Sequence, residues 1–505
     1  MTRRPRPLLL AALGAAVSCA SALSACGGGG GGGGGGTAAF RVTSIVPADG
    51  AVNVRTDATV VVTFSESVDA ASVKDETVRL AAPGGIEAFG TVTVVPDTDD
   101  RQVRFVPDQA YADLTTYTVV VSPRLESASG ASIGGDTTFS FRTEGTTGLP
   151  QPSQLRETAG RLDTGRRNHS ATLLADGRVL VCGGYIQGTT VTDRAELYDP
   201  ASDAFSTLSS RMTQPRTAHT ATLLGSGRVL LVGGAYEISP GTLNTAVTAE
   251  VYDPATATFF PTGDLGYPRE DHAAHLLPDG RVLVTGGSRR VGSGFEDLDD
   301  AEAWDPVTGT FSDWPNLMVH HRATHGMVDL GDGRLFLAGG STTDLRAEVF
   351  SFATGAFSPV AAATDDHGRF GAALARFADG DVLVVGGDLL GTVLHFDRQT
   401  TTQRNTGSGT SRPRAYATAT PIGPDRVLVA GGLDFSAGGF VLSTTDLVVQ
   451  GGAGGARTYL TPVRFPHGIA NHSATRLSDG RVLFLGGLNP NGGQPELDRA
   501  YLFTP

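Results

Sequence analysis

Apolar runs of four or five residues recur along the last two-thirds of the chain, and each stops at a pair of glycines. Arg178-Val-Leu-Val-Cys182 runs into Gly183-Gly184, and Arg481-Val-Leu-Phe-Leu485 runs into Gly486-Gly487. Between them lie Gly233-Gly234, Gly286-Gly287, Gly339-Gly340, Gly386-Gly387 and Gly431-Gly432, with first glycines 50, 53, 53, 47, 45 and 55 residues apart along the series of seven. Seven residues before most pairs stands a turn, as in Asp176-Gly177, Asp279-Gly280 and Asp479-Gly480. Asp-Gly supplies the positive φ angles of a two-residue hairpin, so a first strand such as Ser170-Ala-Thr-Leu-Leu174 is predicted to fold back on the apolar run. A third strand carries Ala195-Glu-Leu-Tyr-Asp-Pro200 and its equivalents Ala249–Pro254 and Ala301–Pro306, and a fourth carries Phe205, Phe259 or Phe311. Strands repeating with a period near 50 predict radially arranged four-stranded sheets, a β-propeller.

The last repeat ends at Ala500-Tyr-Leu-Phe-Thr-Pro505, a third strand without a fourth, while Gln154-Leu-Arg-Glu-Thr158 precedes the first repeat unpaired. Pairing the two closes the ring and removes two exposed edges. The expected architecture over 154–505 is therefore seven blades fastened by an amino-terminal strand. These repeats resemble kelch repeats of the kind found in the galactose-oxidase propeller, and the resemblance recurs seven times.

Ahead of the propeller, residues 38–144 alternate in β fashion. Thr59–Phe64, Thr91–Val95, Gln102–Phe105, Tyr117–Val121 and Thr137–Phe141 read as strands, with two more near Val42 and Val78. That total suits an immunoglobulin-like sandwich. Ile45-Val-Pro-Ala-Asp-Gly50, Phe105-Val-Pro-Asp108 and Phe139-Ser-Phe-Arg-Thr143 resemble the bacterial Ig-like family first described in S-layer proteins, the SbsA type. The resemblance implies a spacer or presentation module. Asp97, Asp99 and Asp100 suggest calcium on paper, but acidic hairpin tips are usually solvated. The whole chain is thus expected to be all-β. A linker, 145–153, contains Gly and Pro.

The first residues give the address. Arg3, Arg4 and Arg6 precede a short apolar core, Leu8–Val17, which reads as a secretory signal over 1–25. Leu23-Ser24-Ala25-Cys26 resembles the lipobox of bacterial lipoproteins, which implies acylation of Cys26 and a lipid-anchored place in the cell envelope, with the outer membrane favoured by Gly27. Residues 26–37 then contain ten consecutive glycines, a flexible tether. The formal net charge of the chain is −13, and loss of the signal arginines makes it more negative still. Nucleic acid and anionic lipid are disfavoured as main ligands by that balance. Membrane contact is expected through the anchor alone. Cys182 is the lone propeller cysteine, so no disulfide framework stabilises the ring.

Polar groups also recur. Arg166, Arg216, Arg269, Arg322, Arg369 and Arg414 stand seventeen residues before the glycine pairs, with Ile469 in the seventh repeat. His169, His219, His272, His325 and His472 stand fourteen before, with Ala372 and Ala417 in the other two. Glu196, Glu250, Glu302 and Glu348 share one position in the third strand. A catalyst needs each group once, so these recurring groups read as structural, through Arg–Glu pairing between blades or bonds to strand ends.

Strand parity places the segments after each glycine pair and before each first strand on one face. Loops 185–194, 235–248, 288–300 and 433–445 are long and dissimilar, which is where a rigid ring usually carries binding. Tyr185, Tyr236, Phe295, Asp297, Asp299, Asp300 and Phe435 are the candidate contact residues there. Two clusters, Glu296 to Asp300 and His320, His321 and His325, look metal-binding but lack ligand spacing. A copper oxidase, the activity that the galactose-oxidase resemblance would imply, needs a Cys–Tyr crosslink, and Cys182 occupies a strand slot filled elsewhere by Val232, Thr285 or Leu485. No cofactor is expected. The expected function is non-catalytic binding of an envelope or extracellular protein or glycan. An oxidase and a ligand-free envelope spacer are the alternatives.

Overall fold

The computed structural model describes residues 40–143 apart from 55–57, 75, 83–85, 89, 96–98, 108–110 and 112–114, and residues 154–505 apart from 341–345, 362–368, 438, 451–455 and 489–495. The expected signal, Cys26, the glycine tether and the 145–153 linker lie outside them. The described residues form two compact units, which meet in sequence near residue 149.

The first unit is a sandwich. One sheet pairs β1 (Val42–Val46), β3 (Val60–Phe64), β7 (Gln102–Pro107) and β6 (Gly90–Val94) in that order. The other runs β2 (Ala51–Val54), β9 (Thr137–Thr143), β8 (Thr116–Val121), β4 (Val78–Ala82) and β5 (Ile86–Ala88). Alternation does the sorting. Val60, Val62 and Phe64 of β3 face Tyr117, Val119 and Val121 of β8 within one core, closed by Phe40, Leu125 and Phe141. All seven expected strands are present, and β2 and β5 are short additions. Asp99 and Asp100 have φ of 51° and 53°, and their carbonyls accept Ser67 Oγ (2.7 Å) and Val68 N (2.8 Å). They serve a turn that needs left-handed residues, which Asp tolerates. Asp97 lies outside the described residues.

The second unit holds seven four-stranded antiparallel sheets. In blade 1 the strands run Ser170–Leu173, Val179–Cys182, Ala195–Asp199 and Ala204–Thr207 from the innermost outwards. The second strand is buried on both faces because each face meets a different blade. Val179 and Val181 pack on Leu483, Leu485 and Leu502 of blade 7. Leu180 and Cys182 pack on Met212, Val229 and Leu231 of blade 2. Equivalent apolar cores separate the remaining neighbours, so the ring has seven interfaces and no single centre. Each fully buried Val or Leu contributes on the order of 2 kcal/mol.

Blade 7 is completed as expected. Gln154–Glu157 pairs antiparallel with Ala500–Thr504, from Gln154 opposite Thr504 to Glu157 opposite Tyr501. Arg499 Nη1 donates to Glu157 across this pair at 2.8 Å. The innermost strand of blade 7 packs in turn against that of blade 1.

The hairpins between first and second strands differ from the two-residue form. Leu174 N donates to Arg178 O and Gly177 N donates to Leu174 O, so three residues make the turn. Only Gly177 has positive φ, at 87°, while Asp176 Oδ1 accepts Arg178 N at 3.0 Å. This is a type I turn followed by a bulged glycine, in which Asp works through its side chain.

Deleting residues up to Thr158 uncovers the edge of Ala500–Thr504 and removes Leu155 from its core. Light scattering of the truncated chain is expected to show self-association at concentrations where the full chain is monodisperse.

Candidate binding face and channel mouth

Each glycine pair lies where one blade passes the next. Gly183 has φ of +65°, and a Cβ there would come within 2.2 Å of Arg216 O, so only glycine fits. Gly184 N then donates to that same carbonyl at 2.9 Å. The bond recurs at every interface, through Gly234 to Arg269, Gly287 to Arg322, Gly340 to Arg369, Gly387 to Arg414, Gly432 to Ile469 and Gly487 back to Arg166.

The arginine side chains turn inward within their own blades. Arg216 is wholly buried; its Nε and Nη2 donate to Glu250 Oε1 at 3.0 and 2.7 Å, and its Nη1 donates to Gly233 O at 2.7 Å. Glu250 Oε2 also accepts Thr213 N at 2.6 Å. Arg166, Arg269 and Arg322 hold Glu196, Glu302 and Glu348 through Nη2 alone. The pairing expected between blades is therefore within each blade, where the arginine before the first strand reaches past the end of the second to the third. Blade 5 has Leu394 at the glutamate position and recruits Asp388 instead, at 3.3 Å from Arg369. Blade 6 uses Asp446, at 2.8 Å from Arg414. In blade 7 both partners become apolar, with Ile469 and Tyr501 packed among Phe465 and Phe484.

The histidines span the interfaces. His219 Nε2 meets Ser170 Oγ at 2.9 Å, His272 meets Thr220 at 2.9 Å, His472 meets Thr418 at 3.0 Å, and His169 meets Ser473 at 2.8 Å. His325 reaches Thr285 at 3.0 Å, since Ala273 stands at the innermost-strand position in blade 3. Burial first, and the neighbouring arginines second, push His169 and His272 down to about 3; burial alone takes His472 to the same value. Four of these rings, His219, His272, His325 and His472, are buried, and His169 is half-buried.

The long loops form two-stranded ribbons, Tyr185–Ile186 with Thr190–Val191, Ala235–Ser239 with Thr242–Thr245, Ser288–Val291 with Gly294–Asp297, and Leu433–Asp434 with Phe440–Val441. The ribbons of blades 1, 2 and 3 stand side by side, and Arg290 N donates to Thr245 Oγ1 at 3.1 Å between two of them. Arg167 lies 4.4 Å over the Tyr185 ring, and Arg290 lies 4.6 Å over Phe295. Tyr236 is half-buried, its hydroxyl 3.4 Å from Asn244 Nδ2. Phe295 and Phe435 are half-exposed.

The acidic candidates do not converge. Glu296 pairs with Arg289 at 2.9 Å, Asp299 with His321 at 3.1 Å, and Asp300 with the buried Arg269 at 3.1 Å. Asp300 thus helps to brace the blade. Asp297 is exposed, and its carbonyl receives His321 Nδ1 at 3.1 Å. His320 is buried and His325 belongs to the interface series, so the three histidines point to separate tasks. Among the described residues no three such side chains are grouped to hold a metal. Cys182 fills the core between blades 1 and 2, where burial pushes its thiol pKa upward. It packs there as a small hydrophobe and does not fit a crosslinked copper centre on the face.

One feature of the face was not legible in the sequence. Between the recurring arginine and histidine stands a residue that differs in every blade but the first and last: Asn168, Ala218, Asp271, Thr324, Gly371, Tyr416 and Asn471. All seven have φ between +53° and +66°. Ala218 N donates to Asn168 O, Asp271 N to Ala218 O, Thr324 N to Asp271 O, Tyr416 N to Gly371 O, Asn471 N to Tyr416 O, and Asn168 N to Asn471 O. A belt of main chain therefore runs round the channel mouth, with six of its seven links made among the described residues and unlike side chains on a like backbone. The available signal was this variability at a fixed offset from the glycine pairs.

Among known proteins, residues 36–143 match the family described as bacterial Ig-like domain. Over 129 residues, 23% of the chain, the sequence is 33% identical to galactose oxidase of Gibberella zeae, in two closely matching sequences of that enzyme. The chain spans 18% of the length of these curated relatives. Among solved structures it is similar to the structure of YjhT, at 14% identity and a TM-score of 0.45, over 59% of this chain and 98% of that one.

Two outcomes follow for the latches. Glu250→Gln leaves a buried guanidinium without its counter-charge and is expected to cost about 3 kcal/mol in urea unfolding. The histidines have folded pKa values below the unfolded value, so the unfolded chain binds protons first and stability is lost as pH falls from about 6.5 toward 3. The urea midpoint is expected to drop between pH 7.5 and pH 5, and His272→Gln flattens that dependence.

Proposed function

We propose that the propeller is a binding platform of the bacterial envelope whose ribbon face docks a protein or glycan without catalysing a reaction. One observation carries this reading. Of the exposed large apolar side chains in the propeller, all but Phe260 and Val307 lie in the ribbons, in the blade 5 loop that holds Leu389 and Leu390, or in the segments leading to the innermost strands. Ile238, Val291, Phe295, Leu389, Phe435 and Phe440 are the most prominent. Apolar side chains gathered on one face of a soluble module mark an interaction surface. Their concentration favours a protein partner, with glycan contact through the aromatic members as the variant of the same reading.

The lipobox-like Leu23–Cys26 segment supports an anchor, and the glycine tether with the Ig-like unit supports presentation at a distance from the membrane. The likeness to galactose oxidase keeps an oxidase in view as the competing activity, but the placement of Cys182 speaks against that cofactor here.

Metabolic labelling with palmitate is expected to mark the full-length chain and to be lost in Cys26→Ser. Mature protein carrying Phe295→Asp and Phe440→Asp is expected to lose at least tenfold in retention of a purified envelope component, while Val307→Asp on the opposite face keeps it. Equal retention by all three proteins would count against the ribbon face as the docking surface.

A further inference from the structure

The side of the ring that carries the hairpins, opposite the ribbons, holds a cavity of about 420 Å³. Blade 5 borders it with Arg376, Phe377 and Ala378, blade 6 with Pro421, Gly423 and Pro424, and blade 7 with Arg476. The cavity lies where blade 6 departs from the repeat. The innermost strand ends in Leu in blades 1 to 3 and in Asp329, Arg376 and Arg476 in blades 4, 5 and 7, but in Pro421 in blade 6. A compact proline ring thus stands between two neighbours that extend an arginine. The turn that follows is Gly423-Pro424-Asp425, where blade 5 has Ala378-Asp379-Gly380. Ala378 N donates to Pro424 O at 2.8 Å, which ties these two hairpins side by side.

Between blades 4 and 5 the matching position is closed. Arg376 Nη1 donates to Asp329 O at 3.0 Å, and its Nη2 lies 2.6 Å from where a Cβ on Gly331 would stand. Pro421 and Gly423 are the blade 6 counterparts of Asp329 and Gly331, so Arg476 relates to blade 6 as Arg376 does to blade 4. Arg476 does not close its position. A Cβ on Gly423 would meet Arg426 first, at 3.6 Å, and Arg476 is exposed, with no hydrogen bond or ion pair among the described residues. Elsewhere on this side Arg178, Arg281, Arg334 and Arg481 each pair with an aspartate two residues earlier, at 2.6 or 2.7 Å. A guanidinium left unpaired at the border of a cavity is open to an anion from solution.

We infer that this cavity binds a small carboxylate with an apolar body, the carboxylate on Arg476 and the body against Pro421, Pro424 and Ala378. A guanidinium takes a carboxylate through two parallel N–H bonds, which gives the site its preference for that group. Two prolines and an alanine offer a flat apolar surface to the rest of the ligand, and the volume lies in the range of small-molecule sites. Arg376, with its guanidinium drawn to blade 4, provides wall and background charge but no fork. The inference does not rest on docking at the ribbons, which lie on the other face.

The test is calorimetric titration of the full chain with benzoate. Benzamide lacks the charge, acetate lacks the body, and inorganic phosphate offers a different anion. Saturable benzoate binding is expected, with benzamide and acetate each at least about tenfold weaker and phosphate no tighter than acetate. Arg476→Gln is expected to weaken benzoate at least about tenfold while leaving the urea midpoint in place, because the side chain is exposed and unpaired. Gly423→Leu tests the cavity by a second route. Gly423 has no positive φ and a Cβ there makes only ordinary contact, so the variant keeps the fold while its side chain fills the space. It too is expected to lose benzoate binding at least about tenfold. No saturable benzoate binding, benzamide or phosphate bound as tightly as benzoate, or benzoate binding unchanged in Arg476→Gln or in Gly423→Leu each overturns the inference.

Discussion

The ring depends on a bond that involves no side chain. At every interface the second glycine of a pair donates its N–H to a carbonyl of the next blade, and the first glycine leaves room for that approach. Any Cβ at the first position of the first pair would lie 2.2 Å from Arg216 O, well inside van der Waals contact. The surrounding polar groups follow from this contact. Once two main chains meet so closely, the end carbonyl of the second strand is turned away from its ladder. The buried arginine takes it up, and a carboxylate then neutralises the arginine. Blade 7 shows the converse, for with Ile469 in place of arginine the acid becomes Tyr501.

Much of this was written in the repeats. The glycine spacing, the four strands per repeat and the pairing of Gln154–Glu157 with Ala500–Thr504 all appear where local pattern placed them. Local pattern did less well where a partner comes from elsewhere. Glu296 and Asp300 look like a cation site in one dimension, yet Arg289 and Arg269 reach them from neighbouring segments. Asp-Gly signalled a hairpin but not its length, because Asp176 acts through its side chain and not through a left-handed backbone. The belt of positive φ was hidden for a similar reason. Asn and Asp announce such a conformation, but Ala218, Thr324 and Tyr416 do not, and only the closed ring imposes it on them.

Scaffold and face therefore divide the sequence between them. Positions that recur are spent on joining blades, and positions that vary gather on the ribbons and around the channel mouth. The likeness to galactose oxidase covers under a quarter of the chain. On the proposed reading, a ligand of the face is to be sought among residues that differ between blades.

The fastening of blade 7 has a consequence for how the molecule is made. Its outermost strand, Gln154–Glu157, leaves the ribosome some 340 residues before Ala500–Thr504, the partner it pairs with. Contacts so remote in sequence form slowly, because the intervening chain must first be drawn together. Until Ala500–Thr504 emerges, the growing array is an open arc with two raw flanks, and that strand turns the arc into a circle.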